Sequence, residues 1–182
     1  MALGKLLPVY RIRCGRLTDA AGLHAVHERA VRVLGRRVYT HTQIESWIHG
    51  NRPEHYVEAM RDEGETVEVA VARLRGIIGF CTHKEHEVRS LYIDPDWSRL
   101  GVGSVLLQRA EAMIAAAGYD KVTIGASLAG LPFYEQRGYR VVKHRHWRTR
   151  GGLMIPAADM EKPVSAEAGI LGRYRRRAGR NG

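Results

Sequence analysis

The segment LYIDPDWSRLGVGSVLL, from Leu91 to Leu107, joins an apolar, strand-like run to a helical pattern through a short polar loop. Asp94-Pro95 ends the run, because proline restricts the residue before it and breaks regular pairing. From Gly101 onward apolar residues recur at helical spacing, until Gly118 closes the segment. The segment therefore predicts a strand, a turn that contains glycine, and a long amphipathic helix.

The predicted start of this helix has the character of a site for an anion. The first N–H groups of a helix have no partner within it and lie at the positive end of its dipole, so phosphates bind there readily. Gly101 and Gly103 would let a ligand approach the backbone closely. No third glycine completes GxGxxG and no Gly-Lys-Ser/Thr is present, which argues against a dinucleotide fold and a P-loop. On the glycines alone, a tight turn into a buried helix is the simpler explanation.

The rest of the chain predicts one mixed domain. The N-terminal part predicts a strand at 9–13 and three helices, at 18–35, at 42–50 and after Pro53, the second with a capping box from Thr42 to Glu45. A hairpin around Arg75-Gly76 and a strand ending at Ile93 follow. After the helix at 101–118 we expect a strand at 121–127, a short helix at 131–138, and strands at 139–147 and 153–161. Short strands mixed with helices around one core indicate an α/β or α+β fold. We assign residues 1–163 to a single domain and 164–182 to a basic tail that we expect to be largely disordered.

Length and composition narrow the class of protein. A chain of 182 residues with 45% hydrophobic residues suits one well-packed domain. No apolar run is long enough to span a membrane, and the N-terminal residues lack the apolar core of a secretory signal, so a cytoplasmic location is expected. The two cysteines form neither a CxxC pair nor a disulfide framework. The pairs His83-x-x-His86 and His144-x-His146 lack a defined fourth ligand, so we expect no metal site.

The net charge of +10 raises the question of a nucleic-acid partner. Residues 164–182 carry five arginines against one glutamate, and RHWRTR at 145–150 interleaves arginine with aromatic rings. Together these stretches could bind phosphates with little specificity. A basic nucleic-acid-binding module therefore remains an alternative to an enzyme, although a solvated tail is the simpler interpretation.

Taken with PFYEQRGY at 132–139, the opening segment resembles the GNAT superfamily of N-acetyltransferases. In that family a strand is followed by Q/R-x-x-G-x-G/A, and this loop and helix hold the pyrophosphate of acetyl-CoA. The matching positions are Ser98, Gly101 and Gly103. Ser98 departs from the usual Gln or Arg, and Arg99 beside it could supply a positive charge.

The resemblance covers roughly Tyr10 to Lys162 and implies both a fold and an activity. The fold would be a mixed, mostly antiparallel central sheet flanked by helices, with a pair of strands that splays apart at the cofactor site. The activity would be transfer of an acetyl group from acetyl-CoA to a primary amine, without a metal. The amine acceptor is unidentified and a homodimer stays open. A catalytically silent domain that only binds acetyl-CoA is a further alternative.

The resemblance also assigns residues to the cofactor. Main-chain groups of the strand would pair with the pantetheine arm, at Leu91, Tyr92 and Ile93. Amides of the loop and of the first helical turn would bind the pyrophosphate, at Arg99, Leu100, Gly101, Val102, Gly103 and Ser104. Ser127 stands where many relatives have an asparagine that contacts the cofactor.

Two residues are candidates for catalysis. Tyr134 matches the family's tyrosine that protonates the departing thiolate, and an ordinary phenol with a pKa of about 10 is protonated at neutral pH; an aromatic anchor is the structural alternative. Glu87, eleven residues before Ser98, matches a glutamate that some members use as a general base. Strict alternation would place Glu87, Arg89 and Leu91 on one face of the strand. A solvated acid explains Glu87 equally well, and His83 and His86 are other possible bases.

The acceptor is expected to contact the N-terminal helices, within Val31 to Tyr56. The stretch RRVYTHTQIESWIHGNRPEHY mixes arginine, tyrosine, tryptophan and histidine. This mixture favours an acidic or aromatic acceptor, or it packs against the sheet. Small amines, antibiotics, peptide N-termini and protein lysines all remain open.

Overall fold

A seven-stranded sheet forms the centre of the computed structural model, which describes residues 9–165. The strands are β1 Tyr10–Cys14, β2 Thr66–Ala72, β3 Gly76–Lys84, β4 Glu87–Ile93, β5 Lys121–Ser127, β6 Arg140–Arg148 and β7 Met154–Pro163. Their order in the sheet is β1-β2-β3-β4-β5-β7-β6, and every neighbouring pair is antiparallel except β4 and β5. This confirms the expected mixed, mostly antiparallel sheet.

Helices cover both faces of the sheet. They are α1 Ala20–Leu34, α2 His41–Ile48, α3 Pro53–Arg61, α4 Val102–Ala116 and α5 Leu131–Glu135. On one face α4 buries Leu106, Ala110 and Ile114 completely. On the other face α1 buries Leu23 and Val26 beside Phe80 of β3 and Val69 of β2. In the described part of the chain, no helix combines the length and apolarity needed to cross a bilayer.

The start of α2 differs from the prediction by two residues. Thr40 is the N-cap: its Oγ1 accepts a hydrogen bond from the Gln43 amide at 3.2 Å, and Gln43 Oε1 accepts one from the Thr40 amide at 3.0 Å. The capping box from Thr42 to Glu45 is therefore wrong. Thr40-x-x-Gln43 satisfies the same reciprocal pattern one half-turn earlier.

The splayed strand pair is present at the centre of the sheet. β4 and β5 pair only at Glu87–Thr123 and Val88–Ile124, and then separate. Backbone N–H groups point alternately to the two sides of a strand. The Asp94 amide donates to the Ile78 carbonyl of β3 at 2.8 Å, so the N–H groups of Leu91 and Ile93 face the gap.

A β-bulge at Arg89 overturns the predicted faces of β4. Thr82 of β3 pairs with Ser90 and His83 pairs with Val88, which leaves Arg89 as the extra residue. Val88 and Leu91 consequently both pack into the core beneath α4, although the prediction put them on opposite faces. Strict alternation fails because one inserted residue reverses the side on which every later residue lies.

A buried ion pair fastens α4 to β2. Arg109 donates from Nε and Nη2 to the two carboxylate oxygens of Glu68, each at 2.6 Å. The Glu68 side chain is only 1% exposed, whereas that of Arg109 is 43% exposed. Among residues 9–165, Arg109 is the one cation that pairs with this carboxylate and compensates its burial.

The predicted C-terminal tail begins within the described region and continues beyond it. The Val164 amide donates to the Asp120 carbonyl at 2.7 Å, and its side chain packs against the core beneath α4. Residues 166–182, with the arginines of the predicted tail, lie outside the described residues.

Candidate active site

A cavity of about 750 Å³ opens where β4 and β5 separate. Its walls come from the end of α1 and the turn after it, from the end of β4 with the loop into α4, and from the segment after β5 with α5. The sequence-predicted residues that line it are Leu91, Tyr92, Ile93, Ser98, Arg99, Gly101, Gly103, Ser104, Ser127 and Tyr134. Residues distant in sequence are thus gathered around one opening.

Three predicted site residues are not among those that line the cavity. The Val102 side chain is 1% exposed and packs into the core, and Leu100 is 46% exposed, but the prediction for these two concerns their backbone amides. The Glu87 side chain, 42% exposed, accepts a hydrogen bond from Arg89 Nη1 at 3.0 Å. Because Glu87 and Ile93 lie at opposite ends of β4, about 20 Å apart in an extended strand, this carboxylate lies outside the cavity.

The N-terminus of α4 opens toward the cavity. The Val105 amide donates to the Gly101 carbonyl at 3.1 Å, so the N–H groups of residues 102–104 precede the first intrahelical bond. Gly101 has φ +85°, a conformation that glycine adopts without strain, and Arg99 takes φ +63°. The loop into α4 therefore points its backbone donors at one place.

Gly103 lies in a closely packed place. A Cβ at this position would lie 3.3 Å from the Phe133 ring and 3.4 Å from Ile93. Glycine lets the first turn of α4 approach both α5 and the end of β4.

Arg137 was missed by sequence reasoning and lies beside this helix terminus. Its Nε donates to Ser104 Oγ at 3.1 Å and its Nη1 to the Phe133 carbonyl at 2.7 Å, and its guanidinium carbon lies 3.7 Å from the centre of the Phe133 ring. Arg137 lines the cavity, where burial lowers its pKa. Ser98 supplies no charge, and its Oγ donates to the Pro95 carbonyl at 2.8 Å. The signal for Arg137 was an arginine within PFYEQRGY.

Tyr134 is 6% exposed and lines the cavity from α5. Its ring makes edge contacts with Phe133 and Tyr139, with centroid distances of 5.1 and 5.6 Å. Burial raises the pKa of the Tyr134 phenol well above its usual range. The hydroxyl therefore keeps its proton over the whole physiological range.

The opposite wall is an aromatic cluster where the segment between α1 and α2 crosses the gap. Tyr39 Oη donates to the Pro156 carbonyl at 2.7 Å and accepts from the Leu128 amide at 2.8 Å. Trp47 stacks edge-on against Trp147, with ring centroids 5.2 Å apart. Tyr39 thus ties the α1–α2 segment to the ends of β5 and β7.

A buried polar cluster packs against Tyr92, one of the residues that line the cavity. His27 stacks on Tyr92 with ring centroids 3.9 Å apart, and its Nδ1 lies 2.6 Å from the Tyr56 hydroxyl, to which Asn51 Nδ2 donates at 3.1 Å. Nε2 of His27 is buried without a hydrogen-bond partner among residues 9–165. Burial lowers the pKa of His27 to about 3 and raises that of Tyr56 to about 12. No motif marked these residues, because they meet only through the packing of α1, α3 and β4.

His27 gives the fold a specific sensitivity to acid. An unfolded histidine has a pKa near 6.5, so below that pH the unfolded chain takes up a proton that folded His27, with a pKa of about 3, refuses. The free energy of unfolding should fall by roughly 3 kcal/mol from this residue between pH 7 and pH 4. Urea unfolding at several pH values should show a shallower decline for His27→Gln. His41→Gln, at an exposed position, should keep the wild-type slope; equal slopes in all three proteins would contradict the assignment.

The other predicted bases are not placed in the cavity. His83 is 8% exposed on β3, and burial lowers its pKa. The His86 ring lies against Tyr119, with centroids 5.6 Å apart. Within residues 9–165, no three His, Cys, Asp or Glu side chains are grouped closely enough to hold a metal ion.

Comparison with solved structures agrees with this architecture. The GCN5-related N-acetyltransferase from Rhodopseudomonas palustris superposes with a TM-score of 0.79 at 22% identity, over 87% of this chain and 98% of the other. The PaiA N-acetyltransferase from Thermoplasma acidophilum, solved in complex with coenzyme A, gives a TM-score of 0.68 at 23% identity, over 86% and 99%. These likenesses show that the fold is shared.

Sequence comparison carries the relationship further. The uncharacterized N-acetyltransferase YafP of Escherichia coli (strain K12) is 29% identical over 133 residues, which cover 73% of this chain and 83% of YafP. The family model described as "Acetyltransferase (GNAT) domain" matches residues 36–162. That match includes the splayed strands, the start of α4 and Tyr134, and it places the chain in the GNAT family of acetyl-CoA-dependent acyltransferases.

Proposed function

We propose that this protein transfers an acetyl group from acetyl-CoA to a primary amine by direct attack, with Tyr134 as the acid that protonates the departing sulfur. One observation carries the proposal. The buried phenol of Tyr134, the open backbone edge of β4 and the N-terminus of α4 all line the same cavity.

The residues present fit acetyl-CoA. The unpaired edge of β4 offers the N–H groups of Leu91 and Ile93 to an amide-rich chain such as pantetheine. The first amides of α4 offer donors to the pyrophosphate, and Gly103 keeps a Cβ from crowding that turn. Arg137 adds a full positive charge beside Ser104. Sequence and structure thus support the same orientation for the cofactor.

The mechanism divides between backbone and side chain. Acetyl-CoA supplies a thioester, whose carbonyl is open to attack by an amine. A backbone N–H from Leu91 or Ile93 polarises that carbonyl. The amine nitrogen forms the new C–N bond as the C–S bond breaks, Tyr134 gives its proton to the sulfur, and the amine nitrogen releases a proton to water. The Tyr134 phenolate then takes up a proton from water, which restores the starting state. We assign no step to Glu87, because its carboxylate lies outside the cavity.

Thermal unfolding with candidate ligands tests the proposal first. Acetyl-CoA and coenzyme A should raise the melting temperature by mass action, whereas NAD, ATP and short DNA should leave it unchanged. Release of free thiol from acetyl-CoA should then accelerate when primary amines are added. Binding of acetyl-CoA without transfer to any amine would favour the catalytically silent alternative. A response to DNA alone would favour the nucleic-acid-binding module.

Arg137→Gln tests the charge at the helix terminus. We expect the Kd for coenzyme A to rise about tenfold, since the variant loses a charge-assisted hydrogen bond to phosphate. Isothermal titration calorimetry measures this directly. Arg140→Gln is the matched control, because Arg140 pairs with Glu161 on the exposed outer strand. An unchanged Kd in Arg137→Gln would remove Arg137 from the cofactor site.

A further inference from the structure

One arginine of the cavity lies on the α1–α2 side. Arg37 and Val38 line the cavity immediately before Tyr39, whose hydroxyl bonds fix the segment against Leu128 and Pro156. Arg37 is exposed, so its guanidinium stays hydrated at the rim while the wall beneath it is apolar. The backbone of Arg37 therefore lies two residues before an anchored position.

Arg37 has no carboxylate partner among the described residues, in contrast with two arginines of α1. Arg29 pairs with Asp94 at 3.2 Å and with Asp96 at 3.3 Å, and Arg32 pairs with Glu45. These acids are thus engaged by two arginines that do not line the cavity. A guanidinium without a carboxylate partner in the described structure is suited to bind the carboxylate of a ligand with two parallel hydrogen bonds.

Arg37 belongs to the side of the sheet that the acceptor would occupy. Tyr39 and Trp47 pack with Leu128 and Tyr92 in the aromatic cluster, whereas Tyr134 belongs to the core beneath α4. The proposed phosphate site, at the N-terminus of α4 beside Arg137, lies on that second side. The gap between β4 and β5 lies between the two sides, and Arg37 lines the cavity on the α1–α2 side.

The surroundings of Arg37 restrict the body of the acceptor. The neighbouring lining is apolar, formed by Val31, Leu34, Val38 and Trp47. Among the described residues that line the cavity there are three arginines and neither aspartate nor glutamate. A polycationic amine would find no counter-charge there, whereas an apolar amine with one anionic group would match both features.

We infer that the acceptor is a primary amine with an apolar or aromatic body and a carboxylate, and that Arg37 binds this carboxylate at the rim of the cavity. The inference rests on the proposed acetyl transfer and names the substrate class for it. It also assigns the two cationic ends of the cavity to different partners: Arg137 to the phosphates and Arg37 to the acceptor.

Matched sets of amines test the inference. L-Phenylalanine, L-phenylalaninamide and 2-phenylethylamine share one body, as do L-leucine, L-leucinamide and 3-methylbutylamine, and only the first of each set carries a carboxylate. The amide has the less basic amine, so more of it is neutral at pH 7, and a preference for the carboxylate form over the amide cannot arise from the supply of neutral amine. We expect kcat/KM to favour the carboxylate form about tenfold, the value of one charge-assisted contact. Thermal unfolding of the coenzyme A complex with each amine should show the same order.

Arg37→Gln should abolish this preference and leave the KM for acetyl-CoA unchanged. Arg37→Lys keeps the positive charge but lacks the two-pronged guanidinium, so it should retain part of the preference for the carboxylate form. Arg36→Gln is the control, because Arg36 is exposed but does not line the cavity.

Each outcome has one meaning. The inference would be overturned if transfer favoured the amides, 2-phenylethylamine or 3-methylbutylamine, or if Arg37→Gln kept the preference for the carboxylate form. Either result would leave the proposed function standing. If Arg37→Gln raises the KM for acetyl-CoA and keeps the preference among acceptors, Arg37 contacts the cofactor and not the acceptor, and the inference is overturned as well. If acetyl-CoA binds and no amine is acetylated, the proposed function fails and the inference falls with it.

Discussion

Tyr134→Phe is expected to lower kcat by about a hundredfold or more, the usual contribution of a positioned general acid. The departing sulfur would then leave as a thiolate without a proton donor. Binding of acetyl-CoA should be unchanged, because the variant keeps the ring that packs against Phe133 and Tyr139. Initial rates of thiol release, at saturating acetyl-CoA and amine, measure the effect.

The pH profile separates an acid from a structural anchor. Because burial raises the pKa of Tyr134, the wild-type enzyme should keep its acid far into the alkaline range, and its rate should not fall there through loss of this proton. Tyr139→Phe makes the same chemical change at a residue that is 3% exposed and does not line the cavity, and it should leave kcat close to wild type. If both variants lose activity equally, or if Tyr134→Phe keeps the wild-type rate and profile, Tyr134 is not the acid.

Arg109→Met is expected to lower the free energy of unfolding by about 3 kcal/mol, because it leaves the Glu68 carboxylate buried without its guanidinium. For a domain of this size, that loss corresponds to a fall in melting temperature of roughly 6–12 °C. Because Arg109 is 43% exposed, we expect a loss at the lower end of the range found when one partner of a buried ion pair is removed. Thermal and urea unfolding measure both quantities.

A double variant separates the lost attraction from the stranded charge. Glu68→Gln combined with Arg109→Met removes the charge, so most of the lost stability should return. Arg140→Met breaks the exposed pair with Glu161 and should have no measurable effect. A double variant as unstable as Arg109→Met would show that the guanidinium acts through packing and not through compensation of the carboxylate.

Local signals made much of the site predictable. The break at Asp94-Pro95, the glycines at 101 and 103 and the helical spacing after them are all set within one short segment, and the strand, turn and helix follow as expected. Ser127 and Tyr134 also line the cavity, while their roles stay predictions.

The capping box of α2 was a wrong choice between two local patterns, whereas the misses at the candidate site depend on contacts between distant segments. The bulge at Arg89 exists because of how β4 pairs with β3, and no pattern within β4 records it. Glu87 has the spacing of a catalytic glutamate, but it lies at the end of β4 away from the cavity. Arg137 and His27 gain their surroundings from packing of α5 on α4 and of α1 on β4, which a pass along the sequence cannot supply.

The gap between β4 and β5 also bears on solubility. A strand with unpaired N–H and C=O groups invites another chain to pair with it, which is why exposed sheet edges promote aggregation. Here the unpaired edge lies in the middle of the sheet, with the α1–α2 segment crossing it on one side and α5 on the other. The backbone donors in this gap are therefore available to a small molecule without adding to the two outer edges of the sheet, β1 and β6, where another chain could pair.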